Sequence, residues 1–141
     1  MPLTYRLVQR PDMHKDAAPD AKLYYAQVRS QQKLNFEKLC DMIAIRSTAF
    51  TGDVMLVIEG LLSVMEERLT EGDIVRLGRL GNFRMVAGSQ GTKTEKDFSV
   101  ALFNKPRIIF SPGSMLNSMK GKVKFEKAAV VEKECDRPHA V

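Results

Sequence analysis

Tryptophan is absent from the 141 residues, and there are only two histidines and two cysteines. His14 and His139 have no Cys, Asp or Glu set at ligand spacing around them, so no metal site is expected. Cys40 falls on the apolar face of a helical pattern and Cys135 in a polar stretch far along the chain. They read as two free thiols of a reducing cytoplasm, with Cys40 packing rather than reacting. Long apolar runs are also missing. The strongest window, Val54 to Met65, has 12 residues and contains Glu59. A bilayer-spanning helix needs about 20 apolar residues, so no membrane segment is expected. No basic stretch followed by an apolar run opens the chain, so no secretory leader is expected either. No glycine-rich loop follows a strand and opens a helix; Gly88, Gly91 and Lys93 are not in Walker order. Glu66 and Glu67 are neighbours on a helical pattern and point in different directions, so they do not form an acid/base pair. These gaps leave no basis for catalysis, a cofactor or a small-molecule substrate. The expectation is a non-enzymatic protein.

What is present is an uneven charge. The formal net charge is +5. Residues 1–34 carry +3, residues 35–73 carry −5, residues 74–127 carry +8, and residues 128–141 carry −1. One contiguous segment is therefore more basic than the whole chain, which points to an anionic partner, most simply nucleic acid. Hydrophobic residues make up 44%, enough for a folded core.

Residues 1–33 predict a β extension. Thr4 to Val8 and Leu23 to Val28 are strand-like, and Pro11, Asp12, Asp16, Pro19 and Asp20 break the chain between them. Asn35 is placed to cap a helix whose apolar positions are Phe36, Leu39, Cys40, Ile43 and Ala44. A second helix starts near Thr51 and runs to Glu71-Gly72-Asp73. Its apolar positions are Val54, Val57, Ile58, Leu61, Leu62, Met65 and Leu69, and Met55, Leu56 and Val64 widen the stripe nearly all round. Two helices and a small sheet cannot cover that much apolar surface, so a shared core in an intertwined homodimer is expected.

Ile74 to Leu77 and Phe83 to Val86 read as a hairpin, with Gly78 to Asn82 as its turn. Residues 87–104 read as an arm that leaves and returns, becoming β-prone again at Phe98 to Phe103. Arg107 to Phe110 is a third strand. Residues 114–120 form a last helix, with Met115, Leu116 and Met119 inward. Lys122 to Lys127 alternates and reads as a strand able to pair with the N-terminal extension. Residues 128–141 read as a flexible tail. The domain boundaries are thus 1–33, 34–127 and 128–141.

Three local signatures then stand in order: Leu69-Thr70-Glu71-Gly72-Asp73, Arg79-Leu80-Gly81-Asn82-Phe83, and Phe110-Ser111-Pro112-Gly113-Ser114-Met115-Leu116. In that order, and with these helix lengths, residues 35–120 resemble the HU and integration host factor family of bacterial nucleoid, or histone-like, proteins. The flanking additions resemble a larger HU-related subgroup of Bacteroides-type bacteria. The resemblance implies an α+β fold: two N-terminal helices, a three-stranded antiparallel sheet with a protruding β-arm, and a short C-terminal helix, intertwined as a dimer. It also implies largely sequence-independent binding, bending and compaction of double-stranded DNA in the cytoplasm, on the nucleoid. A homodimer is the simplest assembly, and a heterodimer with a paralogue stays open.

Strand parity and the resemblance together select Arg76, Arg84, Lys93, Lys96, Lys105, Arg107, Lys120, Lys122 and Lys124 as DNA contacts. They select Leu39, Ile58, Leu61, Leu62, Met65, Phe83 and Phe110 as dimer core. The chain departs from the family at the arm, which has no proline between Gly88 and Asn104 and carries Glu95 and Asp97, and at Ser111 and Arg79, where the family has arginine and glycine. An HU-like dimer that serves as a structural or protein-interaction module is the alternative reading.

Overall fold

The structure, a computed structural model, describes residues 2–129. It divides into two compact units, one of residues 34–122 and one of residues 2–33 with residues 123–129. Cys135, His139 and all but the first two residues of the expected tail lie outside the described residues.

In the first of these units, α1 (Phe36–Ile45) is preceded by Asn35, whose side-chain oxygen accepts the Lys38 N–H at 2.8 Å. That bond satisfies one of the orphan donors of the first turn. An Asn35→Ala variant is expected to lose about 1 kcal/mol of stability, read as a lower denaturant midpoint with an unchanged slope. At the other end, the Arg46 guanidinium donates to the Met42 carbonyl. The second helix, α2 (Thr51–Thr70), follows Phe50, which has no oxygen to cap with; Asp53 accepts the Phe50 N–H instead. Thr51 Oγ1 donates to Asp41 Oδ1 at 2.8 Å and ties the two helices together. Gly72 ends α2 with φ 91°. The Gly72 N–H reaches Leu69 O and the Asp73 N–H reaches Arg68 O, a left-handed closure that favours glycine.

The sheet of this unit is antiparallel in the order β3-β4-β5, with β3 (Val75–Arg76), β4 (Gly81–Val86) and β5 (Arg107–Pro112). The last helix, α3 (Ser114–Lys120), follows directly, and Asn117 Nδ2 donates back to Pro112 O. The turn at Arg79 to Gly81 presses against Ser111 to Gly113, where the Gly113 N–H donates to Leu80 O at 3.0 Å. A Cβ on Gly81 would collide with Ser111 O and the Phe110 ring, and one on Gly113 would collide with Arg79 O.

Three sequence expectations are corrected here. The strand expected over Ile74 to Leu77 is only Val75–Arg76. Residues 98–103 are not a strand. The segment between β4 and β5 holds 3-10 turns at Glu95–Asp97 and Val100–Leu102, and a single Ser89–Phe103 bridge continues the ladder. Residues 89–97 offer no apolar side chain for a longer pairing, while Phe98 and Phe103 meet edge to face at 5.5 Å and draw the chain into a local turn. In place of the expected β-arm, residues 87–106 form a loop with two 3-10 turns. Lastly, only Leu116 of α3 is half-buried; Met115 and Met119 are 62% and 54% exposed. At seven residues, α3 turns only one narrow face to β5.

The other unit is a three-stranded sheet in the order β2-β1-β6. Strand β1 (Leu3–Pro11) pairs antiparallel with β2 (Lys22–Val28) over seven residues. It also pairs parallel with β6 (Phe125–Lys127), the chain segment that follows α3. The expected pairing of the chain after residue 120 with the extension is therefore present, over three residues.

Burial within one chain is sparse. Only Cys40, Val54 and Leu69 are buried apolar residues among those described, while Leu56 and Val57 on α2 are 72% and 70% exposed. The accessible surface is 13142 Å² for a 15.9 kDa chain, against about 7,400 Å² for a compact monomer of that mass. Even if the 12 residues beyond 129 had the surface of a fully unfolded chain, about 1,900 Å², most of the excess would remain. The isolated chain thus leaves much of its apolar surface wet. No helix among the described residues is long and apolar enough to cross a membrane.

Candidate nucleic-acid interface

The register of the β3-β4-β5 sheet decides which side chains share a face. Phe83 pairs with Phe110 and Val75, and Met85 with Ile108. Cross-strand partners project to the same side, so these residues form one apolar face. The two phenyl rings on it are 4.9 Å apart and tilted by 34°. On the opposite face, Arg76 pairs with Asn82, Arg84 with Ile109, and Val86 with Arg107. Asn82 is two residues before Arg84, and Ile109 is two residues after Arg107. The three arginines therefore step diagonally across all three strands, one strand over and two residues along each time. Standard strand spacing and rise put neighbouring members about 8 Å apart and the ends about 17 Å apart.

All three arginines are exposed, and among the described residues none makes an ion pair. At about 8 Å in water, each neighbouring pair of like charges costs roughly 0.5 kcal/mol before screening. A row of opposite charges laid along the diagonal relieves that cost.

Arg107 opens β5 and Val86 closes β4, so this end of the diagonal is the base of the loop of residues 87–106. That loop carries Lys93, Lys96 and Lys105, all exposed. Its two acids do not pair with them: Asp97 Oδ2 accepts the Thr94 hydroxyl at 2.7 Å, and Glu95 opens the first 3-10 turn. Val100, which opens the second turn, is 80% exposed. At the far end of the sheet, where Pro112 pairs with Gly81, Lys120 closes α3 and Lys122 follows it. Lys122 lines a shallow groove with Arg79, Ser114, Met115, Ser118 and Met119.

Eight of the nine cations selected from the sequence thus fall within residues 34–122. Lys124 falls in the other unit, where its carbonyl accepts the Leu3 N–H at 2.8 Å. Sequence reasoning did not select Arg79 as a DNA contact, because the residue entered as part of the hairpin-turn signature and as a departure from a glycine motif. Its place in the turn facing α3 was the available signal. Asn82 and Ser111 were missed as polar members of the arginine face, although they alternate with Phe83 and Phe110.

The seven residues selected as dimer core are nowhere fully buried within one chain. Ile58, Leu61, Met65 and Phe83 are half-buried, and Leu39, Leu62 and Phe110 are exposed. Cys40 is fully buried. Desolvation, and then the charge of Asp41, push its thiol above the ordinary range and keep it protonated. Among the described residues there is no cluster of His, Cys, Asp and Glu able to hold a metal ion.

A family model described as an HU domain fused to a wHTH, Ig or glycine-rich motif, HU-HIG, matches residues 1–127. No curated protein sequence matches the chain. Among solved structures, the fold is similar to a candidate bacterial DNA-binding protein from Bacteroides vulgatus, with a TM-score of 0.61 and 17% identity. The match covers 89% of this chain and 47% of that one, so the chain spans about half the length of the structure it resembles.

Proposed function

The chain belongs to the HU-HIG family of HU domains, and from that premise we propose that residues 34–122 bind double-stranded DNA as a dimer, through phosphate contacts and with little reading of base sequence. The observation that carries this reading is the diagonal of Arg76, Arg84 and Arg107, exposed on one face of the sheet and without carboxylate partners among the described residues. Lys93, Lys96 and Lys105 extend it at one end, and Lys120 and Lys122 lie at the other. Lys124 is a further contact of the same kind. Phosphate contacts fix position and supply affinity without sequence information. A duplex following the diagonal on two facing copies bends to keep both in contact, and this is the compaction expected of a nucleoid protein. The dimer is supported by the wet apolar surface of α1, α2 and the Phe83–Phe110 face. Leu39, Ile58, Leu61, Leu62 and Met65 would be covered by the same residues of a second copy.

Titrating a labelled duplex by fluorescence anisotropy at several salt concentrations tests the reading. The association constant is expected to fall by about 0.9 log units per log unit of salt for each phosphate neutralised. If neither straight, bent nor nicked duplex binds at low salt, DNA is not the partner.

A further inference from the structure

The N-terminal sheet has two edges that are built differently. The β6 edge is three residues long and carries Glu126 and Lys127. The β2 edge is seven residues long and exposed throughout. Natural edge strands are usually blunted by charge, proline, a bulge or shortness. Strand β2 has none of these along its body: Lys22 at its first position is its one charge, it holds no proline, and its pairing with β1 runs unbroken from Lys22 to Val28.

The hydrogen bonds that bracket the ladder show which groups are free. The Arg29 N–H donates to Thr4 O, and the Asp12 N–H donates to Ala21 O. Hydrogen-bonded pairs alternate in an antiparallel ladder. Leu23, Tyr25 and Gln27 therefore aim their backbone groups at β1, while Lys22, Tyr24, Ala26 and Val28 aim theirs outward. No backbone or side-chain hydrogen bond among the described residues reaches those outward groups.

We propose that this edge pairs with the β2 edge of a second copy, antiparallel, about a two-fold axis at Tyr25. In that register Tyr24 meets Ala26 of the other copy and Lys22 meets Val28, each in both directions. It engages all four outward residues of each strand, with about eight hydrogen bonds, two per pair. Sliding the axis to residue 23 or 27 leaves outward residues unpaired at one end. The single charge never faces its own copy, because the two Lys22 residues lie at opposite ends; parallel pairing would set them side by side. The register also joins the exposed Leu3, Leu7, Tyr24, Val28 and Phe125 of each copy into one six-stranded apolar face. This contact is separate from any dimer made by residues 34–122, and it ties such dimers together without DNA.

Cross-linking of the full chain in a Cys135→Ser background tests it. At the axis, Tyr25 faces Tyr25 of the other copy as a non-hydrogen-bonded pair, with Cα atoms about 4.5 Å apart, within disulfide range. Tyr25→Cys is expected to give a disulfide-linked dimer under mild oxidation in the absence of DNA. Leu23→Cys or Gln27→Cys alone should not, but an equimolar mixture of the two should, because residue 23 faces residue 27. A Tyr25→Cys yield no higher than the background overturns the proposal, as does equal cross-linking by Leu23→Cys alone. Ala26→Pro removes one outward N–H and leaves the β1 ladder intact. It should lower the light-scattering mass at high concentration; an unchanged mass counts against β2 pairing. None of these readouts depends on DNA, so the DNA reading can fail while this one stands.

Discussion

A Gly81→Ala variant is expected to lose about 3–5 kcal/mol of stability. Two costs add. Gly81 holds φ 137°, a conformation that L residues adopt only under strain, at about 1–3 kcal/mol. The new Cβ would also meet Ser111 O, the Phe110 ring and the Gly113 N–H at closer than contact distance, and overpacking of this kind costs about 1–3 kcal/mol. The neighbours cannot easily give way, because two of them are backbone atoms and the third belongs to the stacked Phe83–Phe110 pair. For a unit of about 90 residues, each kcal/mol lowers the melting temperature by about 4–8 °C, so a drop of at least about 12 °C should appear by calorimetry. Gly91→Ala is the control: it meets nothing within 4 Å and lies in the loop, so it should leave the transition in place. A Gly81→Ala protein that melts with the parent would show that the turn does not need its close approach to β5.

The second large effect is on binding. Arg84→Glu with Arg107→Glu reverses two of the three charges on the diagonal, replacing two phosphate attractions per chain with two repulsions. The salt dependence should become shallower by about 0.9 log units per log unit of salt for each phosphate no longer neutralised. Affinity at about 0.1 M salt should fall by at least a hundredfold, alike for unrelated duplex sequences, since phosphate contacts carry no sequence information. Both side chains are exposed and make no ion pair among the described residues, so the melting temperature should stay within a few degrees. An unchanged salt slope would remove the diagonal from the DNA surface. A weakening confined to one sequence would mean that the arginines read bases.

Much of the fold is legible in the sequence because it rests on local rules. Asn35 and Gly72 mark helix ends by chemistry that acts within one turn. Strand alternation separates Phe83 from Arg84 without reference to any partner. The failures fall where local rules run out. Phe98 to Phe103 has β-prone residues, but a strand needs a facing strand, and Ser89 to Asp97 supplies none. Met115 and Met119 carry apolar side chains on a helix too short to bury both. The diagonal of Arg76, Arg84 and Arg107 was legible only in part. Parity predicts a shared face for the three, but their spacing depends on which residues pair across β3, β4 and β5, which sequence does not state. Counting charge along the chain also assigned Lys124 to the basic segment, whereas Lys124 and its hydrogen-bond partner Leu3 belong to the other unit.

The parallel pairing of β6 with β1 has a kinetic consequence. Leu3 and Phe125 become neighbours only after more than 120 intervening residues have been gathered in. Closing a flexible loop of that length costs about 4 kcal/mol of entropy, against about 2.5 for the β1–β2 hairpin. Most of the intervening chain is the 34–122 unit, whose contacts are shorter in range. Once that unit has condensed, the stretch still to be closed is effectively much shorter. The N-terminal sheet should therefore gain its third strand last, as a late step gated by folding elsewhere. Slowing the collapse of residues 34–122 should delay β6 docking even when no residue of that sheet has been touched.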